Sequence, residues 1–283
     1  MAKVDEWIGR EQPAVLWLQD VVYPDLTAEV AMRYQHIICP SDWHADVTAQ
    51  ITFGEHGWRS EMWPKSEGGT GRVRRIYNWV DRDHFEGGIE IAWKGIKEPH
   101  HFIYASSPDR GLIKLLELWP RILEMYPDAT LSIFYGWKGA QRLGDLNSQG
   151  IWNQRYLTSR RRYEELRQQK GVKEVGMVDH YRIALEFQKA SVWPYPTVFS
   201  ETCCTNALKA RASGAVPVTT VLAALNESAS CPQAILVDRL DWEKRNAFGE
   251  PGYGAGYDEA WLEGIRKAVE TITEQRQAMA REF

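Results

Sequence analysis

Short apolar runs alternate with helix-length amphipathic stretches along most of this chain, and this alternation constrains the fold more than any other feature. Each apolar run is bounded by turn residues and is short enough to be a buried strand. Alternation of strands and helices is typical of an α/β fold, in which helices cover both faces of a parallel sheet. The predicted strands are Val15–Leu18, His36–Cys39, Val73–Tyr77, His101–Ala105, Leu131–Tyr135, Val172–Val175, Ser191–Tyr195, Val216–Thr219 and Ile235–Val237.

The intervening helices are predicted from apolar residues at helical spacing and from capping residues at their starts. Ser41 or Asp42 is the expected N-cap of the second helix. Polar loops are predicted over 55–71 and from Tyr135 to Gly150. The predicted helices are Leu26–Tyr34, 42–52, Gly111–Met125, 153–169, Tyr181–Gln188, Thr202–Ser213 and Asp258–Ala280.

Composition and charge exclude several classes of protein. The chain has 283 residues and a formal net charge of −4, which argues against a broad nucleic-acid-binding surface. It has no apolar run long enough to cross a membrane and no apolar signal sequence at its start. The cysteines have neither metal-ligand spacing nor a disulfide framework, so we expect a cytoplasmic protein.

Tryptophan is abundant, with 13 residues. Most are expected to pack in the core, for example Trp17 and Trp193, because aromatic side chains are mostly packing residues. Trp43, Trp58, Trp63 and Trp79 cluster in the first third of the chain. Packing in the core is favoured for these four as well, and a position facing a ligand or a partner is the alternative interpretation.

In a parallel sheet the ligand lies beyond the carboxyl ends of the strands, so the loops at those ends are the candidate site. The loop from Ala105 to Gly111 leads into a predicted helix N-terminus, where free N–H groups and the helix dipole favour an anion. Arg110 adds a guanidinium suited to phosphate oxygens. A capped turn with a surface arginine is the alternative interpretation.

A second candidate loop follows the strand that ends at Tyr195. Glu201 precedes a predicted helix, where the dipole favours a carboxylate. The backbone N–H groups of Cys203, Cys204 and Thr205 are then available to a phosphate or a sugar hydroxyl. Lys209 lies two helical turns further along; an N-cap glutamate and a surface lysine are the alternative interpretation.

From His101 to the C-terminus, about 180 residues resemble the donor-binding domain of retaining glycosyltransferases of the GT-B fold, family 4 type. The resemblance rests on several segments in the right order, which together are specific although each is weak alone. These segments are Tyr104–Leu112, Pro127–Leu131 with Phe134–Gly136, Val175–Val178, Phe199–Lys209 and Ser213–Val218.

The resemblance implies a metal-independent hexosyltransferase with a nucleotide-diphosphate sugar as donor substrate and no cofactor. Glu201 would contact the sugar hydroxyls, and Arg110 would offset the diphosphate charge as the leaving group departs. Met177 and Val178 would pack on the nucleotide base. The remaining implied donor-binding residues are Ser106, Ser107, Gly136, Thr202, Cys203, Cys204, Thr205 and Lys209.

The resemblance continues upstream more weakly, through His36–His44 and Arg74–Asp81. It implies a reduced, Rossmann-like acceptor-side domain over 1–85, a linker over 86–99 and a Rossmann-like donor-binding domain over 100–283. The last helix could pack back on the first domain. Gln19, Asp20 and His44 are the acceptor-side candidates, and the acceptor is an unknown glycan, lipid or small molecule.

Departures from the family pattern keep other functions open. Lys209 replaces a glutamate and has only donors, and Gln19 lies where relatives carry a histidine. The short first domain would leave a sheet edge that a homodimer or a partner chain could cover. The alternatives are a nucleotide-sugar-binding module or one subunit of a split transferase. A dehydrogenase is disfavoured because no Gly-x-Gly-x-x-Gly segment follows a first strand.

Overall fold

The computed structural model describes residues 14–20, 23, 25–54, 71–85, 97–146, 150–247 and 249–281. They form two compact units. The small unit runs to Trp79 and also contains Ser200–Cys204 and Ala223–Ser228. The large unit contains Val80–Phe199, Thr205–Leu222 and the chain from Ala229 onwards.

The large unit is built on a six-stranded sheet of described residues in which every neighbouring pair is parallel. The strands are β4 (Glu98–Tyr104), β5 (Thr130–Phe134), β6 (Val172–Gly176), β7 (Ala190–Tyr195), β8 (Val216–Thr220) and β9 (Ile235–Val237). Their order in the sheet is β6-β5-β4-β7-β8-β9. β7 and β8 are buried at every position, as expected for central strands covered on both faces.

Helices pack on this sheet through apolar faces. Helix α3 (Leu112–Met125) buries Leu112, Leu115, Trp119 and Ile122, which recur at helical spacing. The other helices are α4 (Lys138–Leu146), α5 (Ile151–Leu166), α6 (His180–Lys189), α7 (Thr205–Ser213) and α9 (Tyr257–Arg281), and α9 packs on β7, β8 and β9. A short antiparallel pair, β10 (Leu240–Asp241) and β11 (Gly252–Tyr253), lies before α9.

The described elements of the small unit are β1 (Val15–Trp17), α1 (Ala28–Ala31), β2 (His36–Cys39), α2 (Asp42–Phe53), β3 (Val73–Arg75) and α8 (Leu225–Ser228). Its described strands form a parallel sheet in the order β1-β2-β3. The core contains Ile37 and Cys39 from β2 and Ala45 and Ala49 from α2. Ser41, one of the two predicted caps, caps α2 by accepting a hydrogen bond from the backbone N–H of His44.

The predicted α/β class with parallel sheets is confirmed, but several local predictions are wrong. The polar loop predicted after Tyr135 contains α4. Helix α7 begins at Thr205 instead of Thr202, so the segment before it belongs to a turn. Strand β4 begins at Glu98, inside the predicted linker; 86–96 of that linker and the loop over 55–70 lie outside the described residues.

The predicted burial of tryptophan is right for Trp193 and wrong for Trp17. Trp193 is fully buried in β7, whereas Trp17 is 50% exposed at the end of β1. Trp79, one of the four in the first third of the chain, is 69% exposed, so the favoured core packing is wrong for it. Trp58 and Trp63 lie outside the described residues.

Candidate functional site

The order of strands in the large unit locates the candidate site. The chain proceeds outward in one direction through β4, β5 and β6 and then returns to the other side of β4 with β7. Ligands of open α/β sheets bind beyond the carboxyl ends of the strands at such a reversal. The two loops that flank it are the first loop, Ala105–Gly111, and the second loop, Pro196–Phe199.

These two loops touch through backbone as well as side chains. Gly111 has a φ of +107°, and a Cβ there would lie 2.4 Å from the carbonyl oxygen of Pro196. Only glycine permits both this conformation and this approach. The hydroxyl groups of Ser106 and Tyr195 are hydrogen bonded at 3.2 Å.

Three side-chain hydroxyls hold the second loop in place. Thr219 Oγ1 donates to the carbonyl of Tyr195, Tyr253 Oη to that of Pro196 and Thr220 Oγ1 to that of Thr197, each at 2.7 Å. Three successive carbonyls are therefore fixed by side chains from outside the loop. Such support preorganises a binding loop before its ligand arrives.

An ion-pair cluster anchors the first loop. Arg155 of α5 lies 3.3 Å from the Asp109 carboxylate and 2.7 Å from that of Glu250, and it also donates to the backbone carbonyl of Asp109. The Asn206 side chain of α7 donates to the carbonyl of Ala105. Sequence reasoning missed these residues because their partners lie 46 to 101 positions away in the chain.

Arg110 is positioned by the second loop. Its guanidinium lies 3.8 Å above the ring of Phe199, a cation–π contact that orients the group.

The other predicted residues of these segments have different surroundings. The hydroxyl of Ser107 donates a hydrogen bond within the first loop, to the Asp109 carboxylate. Thr205 opens α7, and Lys209 is half-buried one turn further along.

The carboxyl ends of β5 and β6 add a second group of predicted residues. Gly136 has a φ of +90°, Met177 is exposed and Val178 is half-buried. Tyr135 was not singled out from the sequence, yet it is exposed and has a φ of +86°, which is uncommon for a bulky residue. Strained backbone of this kind clusters at ligand sites.

The segment Ser200–Cys204 belongs to the small unit. Glu201 is buried there, and its carbonyl accepts a hydrogen bond from the backbone N–H of Ala224. Thr202 and Cys203 precede α7, so their backbone N–H groups lie ahead of the first helical turn, contrary to the predicted helix start at Thr202. Cys203 and Cys204 are buried free thiols, and burial raises the pKa of Cys203.

The acceptor-side candidates lie at the end of β1. Gln19 and Asp20 are exposed, and the hydroxyl of Thr202 donates to the carbonyl of Gln19 at 2.9 Å. The structure thus brings the segment that carries Glu201 next to Gln19. His44 is fully buried near Asp20, and burial lowers its pKa to about 4, so the ring is neutral at neutral pH.

The described part of the chain contains neither a cluster of metal ligands nor a membrane-spanning helix. There, no three His, Cys, Asp or Glu side chains are grouped closely enough to hold a metal ion. Likewise, none of the helices within the described ranges is both long and apolar enough to span a bilayer.

Comparisons with known proteins show what this fold resembles. No protein-family model matches the chain, and no curated protein is similar to it in sequence.

Several solved structures are similar to it in three dimensions. Anabaena HepE in complex with UDP and glucose has a TM-score of 0.55 and 16% identity, over 96% of this chain and 67% of that one. An α,α-trehalose-phosphate synthase (UDP-forming) from Burkholderia xenovorans in complex with glucose-6-phosphate has a TM-score of 0.59 and 11% identity, over 96% and 64%. The corresponding Burkholderia vietnamiensis enzyme has a TM-score of 0.56 and 14% identity, over 95% and 62%. The chain therefore has a mixed α/β GT-B fold with parallel-stranded sheets.

Proposed function

We propose that this protein is a retaining glycosyltransferase of family 4 type that moves a hexose from a nucleotide-diphosphate sugar to an acceptor without a metal ion. The observation that carries the proposal is the Arg110–Phe199 pair, held between two fixed loops at the reversal of a parallel sheet. Its support is the GT-B fold, which the chain shares with structures that hold UDP or UDP-glucose.

The proposed roles follow from the chemistry of each group. The Arg110 guanidinium would bind the diphosphate and stabilise its growing charge as the sugar–phosphate bond breaks. The N-terminus of α7 would supply N–H donors from Thr205 onwards. The exposed side chains of Tyr135 and Met177 would pack against the base, and the Glu201 carboxylate would accept hydrogen bonds from sugar hydroxyls.

A nucleotide-sugar-binding module, or one subunit of a split transferase, is the second candidate. Lys209 favours it, because a lysine cannot accept hydrogen bonds from a ribose. The small unit also favours it, because its described residues form a sheet of three strands. This candidate predicts donor binding without transfer by the isolated chain. Donor hydrolysis or transfer by the purified chain would exclude it.

The first experiment is a thermal-shift panel with UDP, GDP, ADP, dTDP and their common sugar conjugates, with and without EDTA. A nucleotide that binds the native state raises Tm through mass action. We expect one base to raise Tm, its sugar conjugate to raise Tm further, and EDTA to change neither shift.

Two variants then test the site assignment. Arg110→Ala is expected to weaken binding of that nucleoside diphosphate about ten-fold or more, because a charge-assisted contact is lost. Glu201→Ala is expected to abolish sugar transfer and leave diphosphate binding within about two-fold. Arg161→Ala, which removes an exposed arginine of α5, is the control. Wild-type behaviour of both site variants would refute the assignment.

A further inference from the structure

Two tryptophan side chains form an exposed stacked pair at the carboxyl ends of β1 and β3. The rings of Trp17 and Trp79 lie 6.1 Å apart between centroids, with an interplanar angle of 20°. They are 50% and 69% exposed. Exposed large aromatic groups of this kind, next to polar side chains, mark binding surfaces.

Two side-chain amides lie beside the pair in the sequence and are bonded to each other. Asn78 Nδ2 donates to Gln19 Oε1 at 3.2 Å, and Gln19 Nε2 donates to Asn78 Oδ1 at 3.4 Å. Each amide has two N–H donors and two acceptor lone pairs, and the mutual contact uses one of each. The pair therefore retains both donors and acceptors for a polyhydroxylated ligand.

The backbone that carries these groups is fixed. The hydroxyl oxygen of Tyr23 accepts hydrogen bonds from the backbone N–H groups of Gln19 and Asp20, at 2.7 and 2.6 Å. The Thr202 hydroxyl donates to the carbonyl of Gln19 at 2.9 Å. A loop held on both its N–H and C=O sides presents its side chains in one orientation, as a preformed site requires.

We propose that Trp17, Trp79 and the Gln19–Asn78 amide pair bind one pyranose ring of a carbohydrate acceptor; this inference rests on the proposed function. An indole face is electron-rich and attracts the positively polarised C–H bonds on the flat face of a pyranose. The amides both donate to and accept from the ring's hydroxyl groups. The carboxyl ends of parallel strands are also where α/β sheets bind their ligands.

The polar side chains favour a sugar over a protein partner. An amide covered by a partner needs a match for each of its remaining donors and acceptors, and here a paired amide adjoins the aromatic rings in sequence. A carbohydrate presents C–H faces and hydroxyl groups within one ring. It therefore matches both halves of this surface at once.

The test is saturation-transfer NMR on the full chain with glucose, galactose, mannose, N-acetylglucosamine, their 6-phosphates, maltose and cellobiose. We expect saturation to be transferred from the protein to the ring C–H protons of at least one sugar. Trp79→Ala and Trp17→Ala are each expected to weaken the binding of that sugar about ten-fold, because each variant loses one aromatic contact. Trp242→Ala is the matched control, because Trp242 is also 50% exposed but lies in the large unit.

The outcomes separate this inference from the proposed function. Nucleoside diphosphate binding that survives in Trp79→Ala, while sugar binding is lost, supports the inference. Absence of a signal that depends on Trp17 or Trp79 overturns it, even if a nucleotide raises Tm. A wild-type dimer that Trp79→Ala converts to a monomer in sedimentation also overturns it, in favour of a second copy of the chain. Sugar binding without any nucleotide shift would overturn the proposed function instead.

Discussion

At the scale of single residues, Lys97 shows what burial does to a charge in this protein. Its side chain is only 2% exposed, and its ammonium group donates to the carbonyls of Ala190 and Phe187 at 2.5 and 3.5 Å. These carbonyls lie at the C-terminal end of α6, which favours a cation. Burial still dominates and lowers the pKa of Lys97 to about 7.

This pKa predicts a dependence of stability on pH. Between pH 7 and pH 10 the unfolded chain holds a proton on Lys97 that the native protein has released, so raising the pH favours the native state. We expect the free energy of unfolding of wild type, relative to Lys97→Met, to rise by at most about 1.4 kcal/mol per pH unit across this interval. Urea denaturation of both proteins at pH 6, 7, 8 and 9 measures it.

The control for this prediction is Lys138→Met, which removes an exposed lysine from α4. Its stability is expected to follow that of wild type at every pH. Parallel profiles for wild type and Lys97→Met would show that Lys97 stays protonated in the native protein.

Individual residues also show which parts of the site were predictable. The position of Arg110, between a buried strand and a helix start, follows from the chain pattern alone. The partners that fix its loop do not, because Arg155 and Asn206 reach it from distant helices. Trp17 was assigned to the core because the run Val15–Leu18 is apolar throughout. Such a sequence has no alternation of polar and apolar residues that would reveal the exposed face of β1.

At the scale of secondary-structure elements, α2 depends on a residue remote in sequence. The two carboxylate oxygens of Glu227 accept hydrogen bonds from the backbone N–H groups of Asp42 and Trp43, each at 2.8 Å. Tyr77 donates to the same carboxylate at 3.2 Å. Glu227 thereby neutralises the positive end of the α2 dipole, while Ser41 caps the next N–H group.

Removal of this carboxylate is expected to destabilise the start of α2. Glu227→Ala leaves two helix N–H groups without their acceptor and is expected to cost about 1–3 kcal/mol. Glu227→Gln keeps one acceptor oxygen and is expected to fall between the alanine variant and wild type. Hydrogen exchange of the α2 amides, together with urea denaturation, measures both effects.

A matched control is Glu29→Ala, which removes an exposed glutamate of α1 that pairs with Arg33, just beyond the C-terminal end of that helix. Exposed pairs contribute little, so its stability is expected to stay near that of wild type. Equal exchange rates in α2 for Glu227→Ala and wild type would contradict the assigned role of Glu227.

For most secondary-structure elements the type, strand or helix, was predicted correctly, whereas the first and last residues were predicted less well. The strands that form the sheet of the large unit were all anticipated, and most contain a short apolar run. The exception is the edge strand β6, whose sequence Val-Lys-Glu-Val-Gly has no fully buried position. The start of α7 was placed three residues early, at Thr202, whose hydroxyl instead donates to the carbonyl of Gln19. Helix α4 was missed because its sequence is mostly polar and small.

At the scale of the whole molecule, the α/β class follows from the alternation of strands and helices. What the alternation does not reveal is that Ser200–Cys204 and Ala223–Ser228 belong to the small unit. Each segment is a loop or a short helix between strands of the large sheet, so its local pattern gives no sign of its partners. Contacts over such sequence separation are set by tertiary packing.

The discontinuity of the small unit has a consequence for synthesis on the ribosome. Its last strand ends at Arg75, but Glu227 emerges roughly 150 residues later, about 10–30 s at ordinary elongation rates. During that interval the N–H groups of Asp42 and Trp43 lack their Glu227 acceptor, and we expect the nascent unit to stay accessible to proteases and chaperones. We expect arrested chains to gain protease protection across α2 only after Ser228 has left the exit tunnel. Long chains with Glu227→Ala are expected to remain sensitive, whereas early protection in short chains would show that the small unit folds before its final segments exist.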